Sequence, residues 1–264
     1  MKHLLKKIIL GFSIVILTAC NSHDKNTFKV GTISGPETTL METAKDVAKK
    51  QFNLDVQVVE FTDYLQPNAA LNEGSIDANM FQHQPFLDQQ LKNKNYKIHT
   101  VAKTFIYPMG IYSNKIKNLA EITDNSIVAL PNDTSNEGRA LMLLEKANLI
   151  QLKKGAGIYA TPADITNNPK HLQFKELDAS QVARTLPDVT IALVNTNYAV
   201  AAGLSPTKDA ILLEGIDSPY ANIIVIRDDE TADPRVQQFI EAFQSDDVKK
   251  AAEEIFKGQA IPAW

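Results

Sequence analysis

Short apolar segments alternate with amphipathic segments of helical period along most of this 264-residue chain. Phe28–Ile33 and Val56–Phe61 are typical of strands, and Leu40 and Val47 between them fall on one face of a predicted helix. A third strand is predicted at Ile76–Met80. Strands that alternate with helices in this way predict an α/β fold, in which helices cover the faces of a parallel sheet.

The alternation is interrupted once, and the interruption predicts two lobes. Thr100–Ser113 is a long apolar segment that contains Pro108 and Gly110, so it does not fit a central strand. A second alternating block follows it, and Ile223–Ile226 is an apolar strand able to return the chain to the first lobe. We therefore expect lobe I to comprise residues 28–108 plus 225–264, and lobe II to comprise residues 109–224.

The first residues are typical of a bacterial lipoprotein signal. Three lysines precede the apolar segment Ile8–Thr18, which is short for a membrane span, and a small residue stands directly before Cys20. We expect residues 1–19 to be a signal peptide, Cys20 to carry lipid after cleavage, and residues 20–27 to form a polar tether. The alternative, a buried N-terminal helix with an incidental cysteine, does not explain the charge pattern.

The composition excludes several classes of function. Cys20 is the only cysteine, so we expect no disulfide, no cysteine metal site and no cysteine nucleophile in the exported body. Loss of the signal peptide takes the formal charge from −4 to −7, and no basic run exists, which argues against nucleic-acid binding. The chain contains neither a Gly-x-Ser-x-Gly elbow, nor His-Glu-x-x-His, nor a glycine-rich phosphate loop. We therefore expect neither an enzyme nor a bound cofactor or metal.

Polar side chains gather where predicted strands end and helices begin. Asn79 lies near the end of the third predicted strand, and Gln82 and His83 follow that strand before a helix that starts at Pro85. In open α/β sheets ligands bind at the carboxyl ends of strands, so these residues are candidates for a binding site. An ordinary strand-to-helix loop is the alternative.

A second such boundary leads to Arg139. Thr134 and Glu137 fit a capping box that starts a helix, and the helix N-terminus offers backbone N–H groups. Arg139 follows within two turns and carries a planar guanidinium suited to a carboxylate. The alternative is a surface arginine that lies over the helix. Asn195 also follows a predicted strand, and its amide is able to hold either an ammonium or a carboxylate.

Several of these motifs, in order along the chain, closely resemble the bacterial methionine-binding lipoproteins of the NlpA or MetQ type. The resemblance covers essentially the whole chain and is carried by Asp63-Tyr64-Leu65-Gln66-Pro67-Asn68, Ile76-Asp77-Ala78-Asn79-Met80-Phe81-Gln82-His83-Gln84-Pro85, Val101–Tyr107 with Pro108, Pro131-Asn132-Asp133 through Gly138-Arg139, and Ser218-Pro219-Tyr220-Ala221-Asn222.

The resemblance implies a two-lobed periplasmic-binding-protein fold of the type II kind that closes on its ligand. It implies that Tyr64, Phe81 and His83 enclose the methionine side chain. It further implies that Arg139 holds the carboxylate, while Asn195 and Asn222 hold the polar end of the amino acid. Four more positions are expected near the pocket: Asn79, Tyr107, Asn132 and Tyr198.

The same resemblance implies a function in transport. It predicts a monomer anchored by lipid to the exported side of the cell membrane, on its periplasmic or extracellular face. The protein would capture L-methionine and pass it to an ABC permease and its ATPase. Alternatives are D-methionine, a methionine derivative or a methionine-containing dipeptide as ligand, an adhesin-like surface lipoprotein, and an enzyme on the same scaffold.

Overall fold

The structure is a computed structural model that describes residues Thr27–Trp264. The predicted signal peptide and Cys20 lie outside the described residues. The strands are β1 (Thr27–Ile33), β2 (Asp55–Phe61), β3 (Ala78–His83), β4 (Ile98–Ile106), β5 (Gly110–Tyr112), β6 (Ile127–Pro131), β7 (Gln151–Leu152), β8 (Ile165–Asn167), β9 (Gln173–Leu177), β10 (Ile191–Val194), β11 (Leu212–Leu213), β12 (Ala221–Arg227) and β13 (Ile261–Pro262). The helices are α1 (Pro36–Phe52), α2 (Pro67–Asn72), α3 (Gln84–Asn93), α4 (Thr134–Lys146), α5 (Ala179–Val182), α6 (Thr196–Ala201), α7 (Pro206–Asp209), α8 (Pro234–Phe243) and α9 (Asp246–Ile255). No helix within 27–264 is long and apolar enough to span a bilayer.

The first large sheet has six strands in the order β13-β4-β12-β3-β1-β2. Helices α1, α8 and α9 pack together on one face, over a core that includes Leu40, Met41, Phe239 and Phe243. A smaller apolar cluster covers the other face and includes Leu71. Both faces are therefore buried, as the alternation of strands and helices predicts.

The second large sheet has five strands in the order β11-β5-β10-β6-β9. Its main cluster joins α4, through Leu141 and Leu144, to Val128 and Leu130 of β6 and Leu193 of β10. The two sheets confirm the predicted α/β architecture with two centres of packing. A third, two-stranded sheet pairs β7 with β8 at the edge of this lobe.

The sheets are mixed, and the prediction of parallel sheets is wrong in this respect. Strand β1 is parallel to β2 and β3, but β12 is antiparallel to β3 and β4, and β5 is antiparallel to β10. The reason lies in the two crossing segments, 107–109 and 214–220, which join the sheets. A strand that follows a crossing segment starts at the edge of its sheet that faces the other lobe. Neighbouring strands end at that edge, so the entering strand is antiparallel to them.

The crossing segments are bonded to each other. The Glu214 N–H donates to the Met109 carbonyl at 2.9 Å. All of β12 pairs within the first sheet, so the predicted boundary between 224 and 225 falls inside a strand. The division of the chain at these residue numbers stays a prediction.

The two lobes share an apolar interface. Ile33, Phe81 and Phe86 from the first lobe belong to the same buried cluster as Tyr112 and Val194 from the second. Burial of large aromatic and aliphatic side chains from both lobes holds the lobes against each other.

Gly138 allows α4 to approach the neighbouring chain. A Cβ at this position would lie 2.4 Å from the carbonyl oxygen of Ile158, a contact that side chains do not tolerate. We expect Gly138→Ala to destabilise the protein by about 1–3 kcal/mol, because overpacking outweighs the better helix propensity of alanine. Urea unfolding measures this change, with Lys146→Ala at an exposed position of the same helix as the control. A Gly138→Ala protein as stable as the wild type would contradict the expectation.

Candidate functional site

A small cavity lies between the lobes. It is bounded by the ends of β3 and β4, the start of β12, and the starts of α1, α4 and α6. Seven of the ten predicted site residues line it: Tyr64, Phe81, His83, Tyr107, Arg139, Asn195 and Asn222. The structure therefore brings together residues that are up to 158 positions apart in the chain, while their individual roles stay predictions.

Strand β3 brings Phe81 and His83 to the cavity. This strand runs from Ala78 to His83, so the predicted strand at Ile76–Met80 and the loop after it are wrong in their bounds. His83 has an extended backbone and is the N-cap of α3, where its Nδ1 accepts a hydrogen bond from the Phe86 N–H at 3.2 Å. The strand therefore passes directly into the helix, and His83 is held by the junction.

Asn136 connects polar groups of both lobes, and sequence reasoning did not identify it. Asp133, rather than Thr134, is the N-cap of α4, so the predicted capping box is wrong. The Asp133 carboxylate accepts from the backbone N–H of Asn136 at 3.0 Å and from its side-chain Nδ2 at 3.0 and 3.1 Å. These bonds turn the Asn136 Oδ1 toward His83 Nε2 at 3.2 Å and toward Asn195 Nδ2 at 2.9 Å.

His83 is a neutral imidazole at neutral pH. Burial is the main reason that the pKa of His83 falls from its usual 6.5 to about 3, and the nearby positive charge of Arg139 lowers it further. Because Nδ1 accepts from Phe86, the proton lies on Nε2, which donates to the Asn136 Oδ1. The imidazole therefore contributes a ring face and one fixed donor, without a positive charge.

Aromatic rings form one wall of the cavity. The Tyr64 ring lies 5.8 Å from the Phe81 ring and 5.9 Å from the Phe86 ring, measured between centroids. The Tyr64 hydroxyl donates to the Asn197 Oδ1 at 2.8 Å, which joins a loop of the first lobe to α6 of the second. Tyr198 packs against Tyr64 at 5.1 Å without lining the cavity itself.

Arg139 is buried and held on several sides. Its Nε lies 3.1 and 3.0 Å from the two carboxylate oxygens of Glu214, and its Nη2 donates both to Glu214 and to the Tyr107 carbonyl. The guanidinium carbon lies 4.4 Å from the centre of the Tyr220 ring. Its Nη1 makes no hydrogen bond to the described part of the chain. This nitrogen is therefore available to a bound anion.

Glu37 is a buried carboxyl group in the cavity wall, and sequence reasoning missed it. Only 1% of its surface is exposed, and its Oε2 has no hydrogen-bond partner within residues 27–264. Burial raises the pKa of Glu37 well above its usual 4.5. Glu37 follows Pro36 at the junction of β1 and α1, so the rule that ligands bind at strand ends would have identified it as a candidate.

Three predicted residues do not line the cavity. Asn79 belongs to a buried network of amides behind the wall, where its Nδ2 donates to Asn68 at 2.9 Å and its Oδ1 accepts from Gln82 at 3.0 Å. Asn132 is exposed, and Tyr198 forms a second layer behind Tyr64. The cavity residues that the family resemblance did not assign are Glu37, Gln82, Phe86, Asn136, Thr196 and Asn197. Within 27–264 no cluster of three or more His, Cys, Asp or Glu side chains is placed to hold a metal ion.

Because His83 has a low pKa when folded, stability should fall in acid. Between pH 6.5 and about 3 the unfolded chain binds a proton at His83 that the folded chain does not, so stability decreases by up to about 1.4 kcal/mol per pH unit. The variant His83→Asn keeps a cap acceptor and removes this contribution to the slope. Urea unfolding at several pH values measures the difference, and His171→Asn at an exposed left-handed position is the control. Equal slopes in wild type and His83→Asn would refute the explanation.

The chain is similar throughout to known lipoproteins. Residues 28–264 match the family model described as NlpA lipoprotein. The D-methionine-binding lipoprotein MetQ of Salmonella typhimurium strain LT2 is 50% identical over 252 residues, which cover 94% of this chain and 93% of that protein.

Two solved structures have the same fold as this chain. A periplasmic substrate-binding protein of an ABC transporter from Coxiella burnetii is 54% identical, with a TM-score of 0.87 over 89% of this chain and 100% of that one. A nutrient-binding protein from Burkholderia cenocepacia, solved bound to methionine, is 48% identical, with a TM-score of 0.88 over 90% and 100% of the two chains. The two-lobed binding-protein fold is thereby confirmed, and the chain belongs to the NlpA lipoprotein family.

Proposed function

We propose that this protein is a substrate-binding protein that captures methionine and delivers it to an ABC importer. One observation carries the proposal. A single interlobe cavity contains a buried guanidinium, a buried carboxyl group with one oxygen that has no partner in the described chain, and a wall of aromatic rings. A zwitterion with an apolar side chain matches these three features together, since an ammonium, a carboxylate and a thioether each find a complementary group.

The polar end of the cavity offers hydrogen-bonding groups that the protein leaves unused. Four side-chain atoms of cavity residues are buried and have no partner in the described chain: Glu37 Oε2, Tyr107 Oη, Asn195 Oδ1 and Asn197 Nδ2. Buried polar atoms in proteins are nearly always bonded, so these four favour a polar ligand. Glu37 Oε2 and Asn195 Oδ1 suit an ammonium, whereas Asn197 Nδ2 and Arg139 Nη1 suit a carboxylate. Asn222, whose amide lies 3.5 Å from Glu37, is adjacent to the same oxygens.

The apolar end suits a thioether. Tyr64, Phe81 and Phe86 provide ring faces and edges, and sulfur makes favourable contacts with aromatic rings of roughly 0.3–1.5 kcal/mol. The neutral His83 lies beside Phe86 without a charge that would oppose an apolar side chain.

The remaining parts of the proposal rest on the family. We infer that lipid on Cys20 anchors the protein on the exported side of the membrane, and that it works as a monomer with a permease and its ATPase. The inferred lipid anchor is supported by relatives whose names include the word lipoprotein. The inferred permease and ATPase are supported by the Coxiella burnetii structure, which is described as a substrate-binding protein of an ABC transporter. Two lobes joined by two crossing segments support closure about a hinge. We infer a role in binding without catalysis.

L-Methionine is our first candidate for the ligand, and D-methionine is the second. The name of the Salmonella typhimurium relative specifies the D enantiomer. A methionine derivative and a methionine-containing dipeptide are further candidates. An enclosed cavity favours a small ligand over an adhesin-like role.

The ligand is tested on the soluble body without residues 1–20. Mass spectrometry before and after unfolding identifies any ligand retained through purification. Calorimetry with both enantiomers then gives the affinities. Release of one methionine per chain, or saturable heat with either enantiomer, supports the proposal. Absence of retained methionine together with no heat at millimolar concentration refutes it.

We expect Arg139→Gln to weaken methionine binding at least about a hundredfold. Loss of the guanidinium leaves the ligand carboxylate buried without a charged partner, at roughly 3–5 kcal/mol. Calorimetry measures the change, and Arg184→Gln at an exposed site of the same lobe is the control. A folded Arg139→Gln protein that binds within tenfold of the wild type would exclude the assigned role.

We expect methionine binding to release protons from Glu37. Burial raises the pKa of this carboxyl group and so favours its protonated form in the empty cavity, whereas a ligand ammonium favours the ionised form. The binding enthalpy should therefore depend on the ionisation enthalpy of the buffer, and Glu37→Gln should remove this dependence and weaken binding. Glu42→Gln, an exposed change on the same helix, serves as the control. Buffer-independent heat in the wild type would contradict the role of Glu37.

A further inference from the structure

The charge of Arg139 is compensated from outside the cavity. Arg139 lines both the interlobe cavity and a separate outer groove, whereas Glu214 lines only the groove. The guanidinium thus forms part of the wall between the two spaces. We propose that Glu214 is a specificity-determining residue, which neutralises Arg139 from behind so that the cavity selects a zwitterion over an anion. This inference rests on the proposed function.

The contacts show that Glu214 leaves one nitrogen of Arg139 unbonded. The carboxylate approaches Nε and Nη2, and Nη2 also donates to the Tyr107 carbonyl at 2.9 Å. Nη1 makes no hydrogen bond to the part of the chain that the structure describes. Arg139 therefore keeps one donor for a ligand carboxylate, while its positive charge is already paired.

Glu214 is itself held in place by both crossing segments. Its backbone N–H donates to the Met109 carbonyl at 2.9 Å, and its side-chain oxygen accepts from the Met109 N–H at 3.3 Å. The Ser218 hydroxyl donates to the other carboxylate oxygen at 3.4 Å. The acid is therefore fixed relative to Arg139, and its charge acts on the cavity at a constant position.

The other ionisable groups of the cavity do not supply this compensation. His83 is neutral, and burial raises the pKa of both Tyr64 and Tyr107 well above 10. Burial raises the pKa of Glu37 and favours its neutral form until a ligand brings an ammonium, so Glu37 does not compensate Arg139 in the empty cavity. Without Glu214 the cavity would therefore carry an uncompensated positive charge, which attracts any carboxylate and repels the ammonium of a zwitterion. With Glu214 in place, a ligand gains from its ammonium as well as from its carboxylate.

The test compares two ligands that differ only in the ammonium group. Methionine is the zwitterion, and 4-(methylthio)butanoate is the corresponding anion with the same thioether. Calorimetric titration of the wild type, Glu214→Gln and Asp217→Asn gives the ratio of the two affinities in each protein. Asp217 is an exposed acid on the same crossing segment and lines the same groove, so it controls for net charge.

We expect Glu214→Gln to shift the ratio toward the anion by at least about tenfold, because an anion gains the full attraction of the unpaired charge and a zwitterion gains only part of it. Asp217→Asn should leave the ratio within about threefold. A merely structural effect would weaken both ligands equally, and an unchanged ratio in Glu214→Gln would overturn the proposal.

A second pair of variants keeps the test decisive if Glu214→Gln does not fold. Arg139→Gln and the double variant Arg139→Gln with Glu214→Gln lack the arginine, so neither leaves a buried cation without a partner. The charge of Glu214 should still act on the ligand, and the double variant should again favour the anion by at least about tenfold relative to Arg139→Gln. Equal ratios in the two would overturn the proposal.

A wild type that binds neither ligand would overturn the proposed function as well, whereas methionine binding with unchanged ratios would overturn this inference alone.

Discussion

The ion pair between Arg139 and Glu214 is the interaction on which the interlobe cavity depends. A guanidinium that is only 4% exposed requires a paired charge and bonded N–H groups, and it finds them in Glu214 and in the Tyr107 carbonyl. Both partners lie on or beside the crossing segments between the sheets. These bonds therefore hold α4 of the second lobe against the crossing segments.

Asn136 extends this arrangement across the cavity. Its side chain is oriented by the Asp133 cap and bonds both to His83 of the first lobe and to Asn195 of its own lobe. The hydrogen bond from Tyr64 to Asn197 connects the lobes at the aromatic wall. The relative position of the lobes is therefore held by directional bonds at the cavity as well as by the apolar cluster around Phe86 and Val194. Such bonds define one relative position of the lobes more narrowly than apolar burial alone.

Sequence reasoning located most of the elements and part of the site. The resemblance assigned seven residues that the fold brings to the cavity, among them Tyr64, Arg139 and Asn222. It did not assign Glu37 or Asn136, whose roles depend on partners far away in the chain. Thr134 and Glu137 fit a capping box by spacing, but the cap is Asp133, because its carboxylate is able to bond the Asn136 side chain as well as the backbone.

The sequence by itself determined the α/β class, the two blocks of alternating elements and the approximate positions where strands meet helices, because apolar periodicity and helix-starting prolines are local signals. Only the tertiary structure decided the direction of β5 and β12. Each is antiparallel to a neighbouring strand because the chain enters its sheet directly from the other lobe. It also decided the charge state of the site. Burial and pairing determine that His83 is neutral and that Glu214 compensates Arg139, and neither is encoded in the neighbouring residues of the chain.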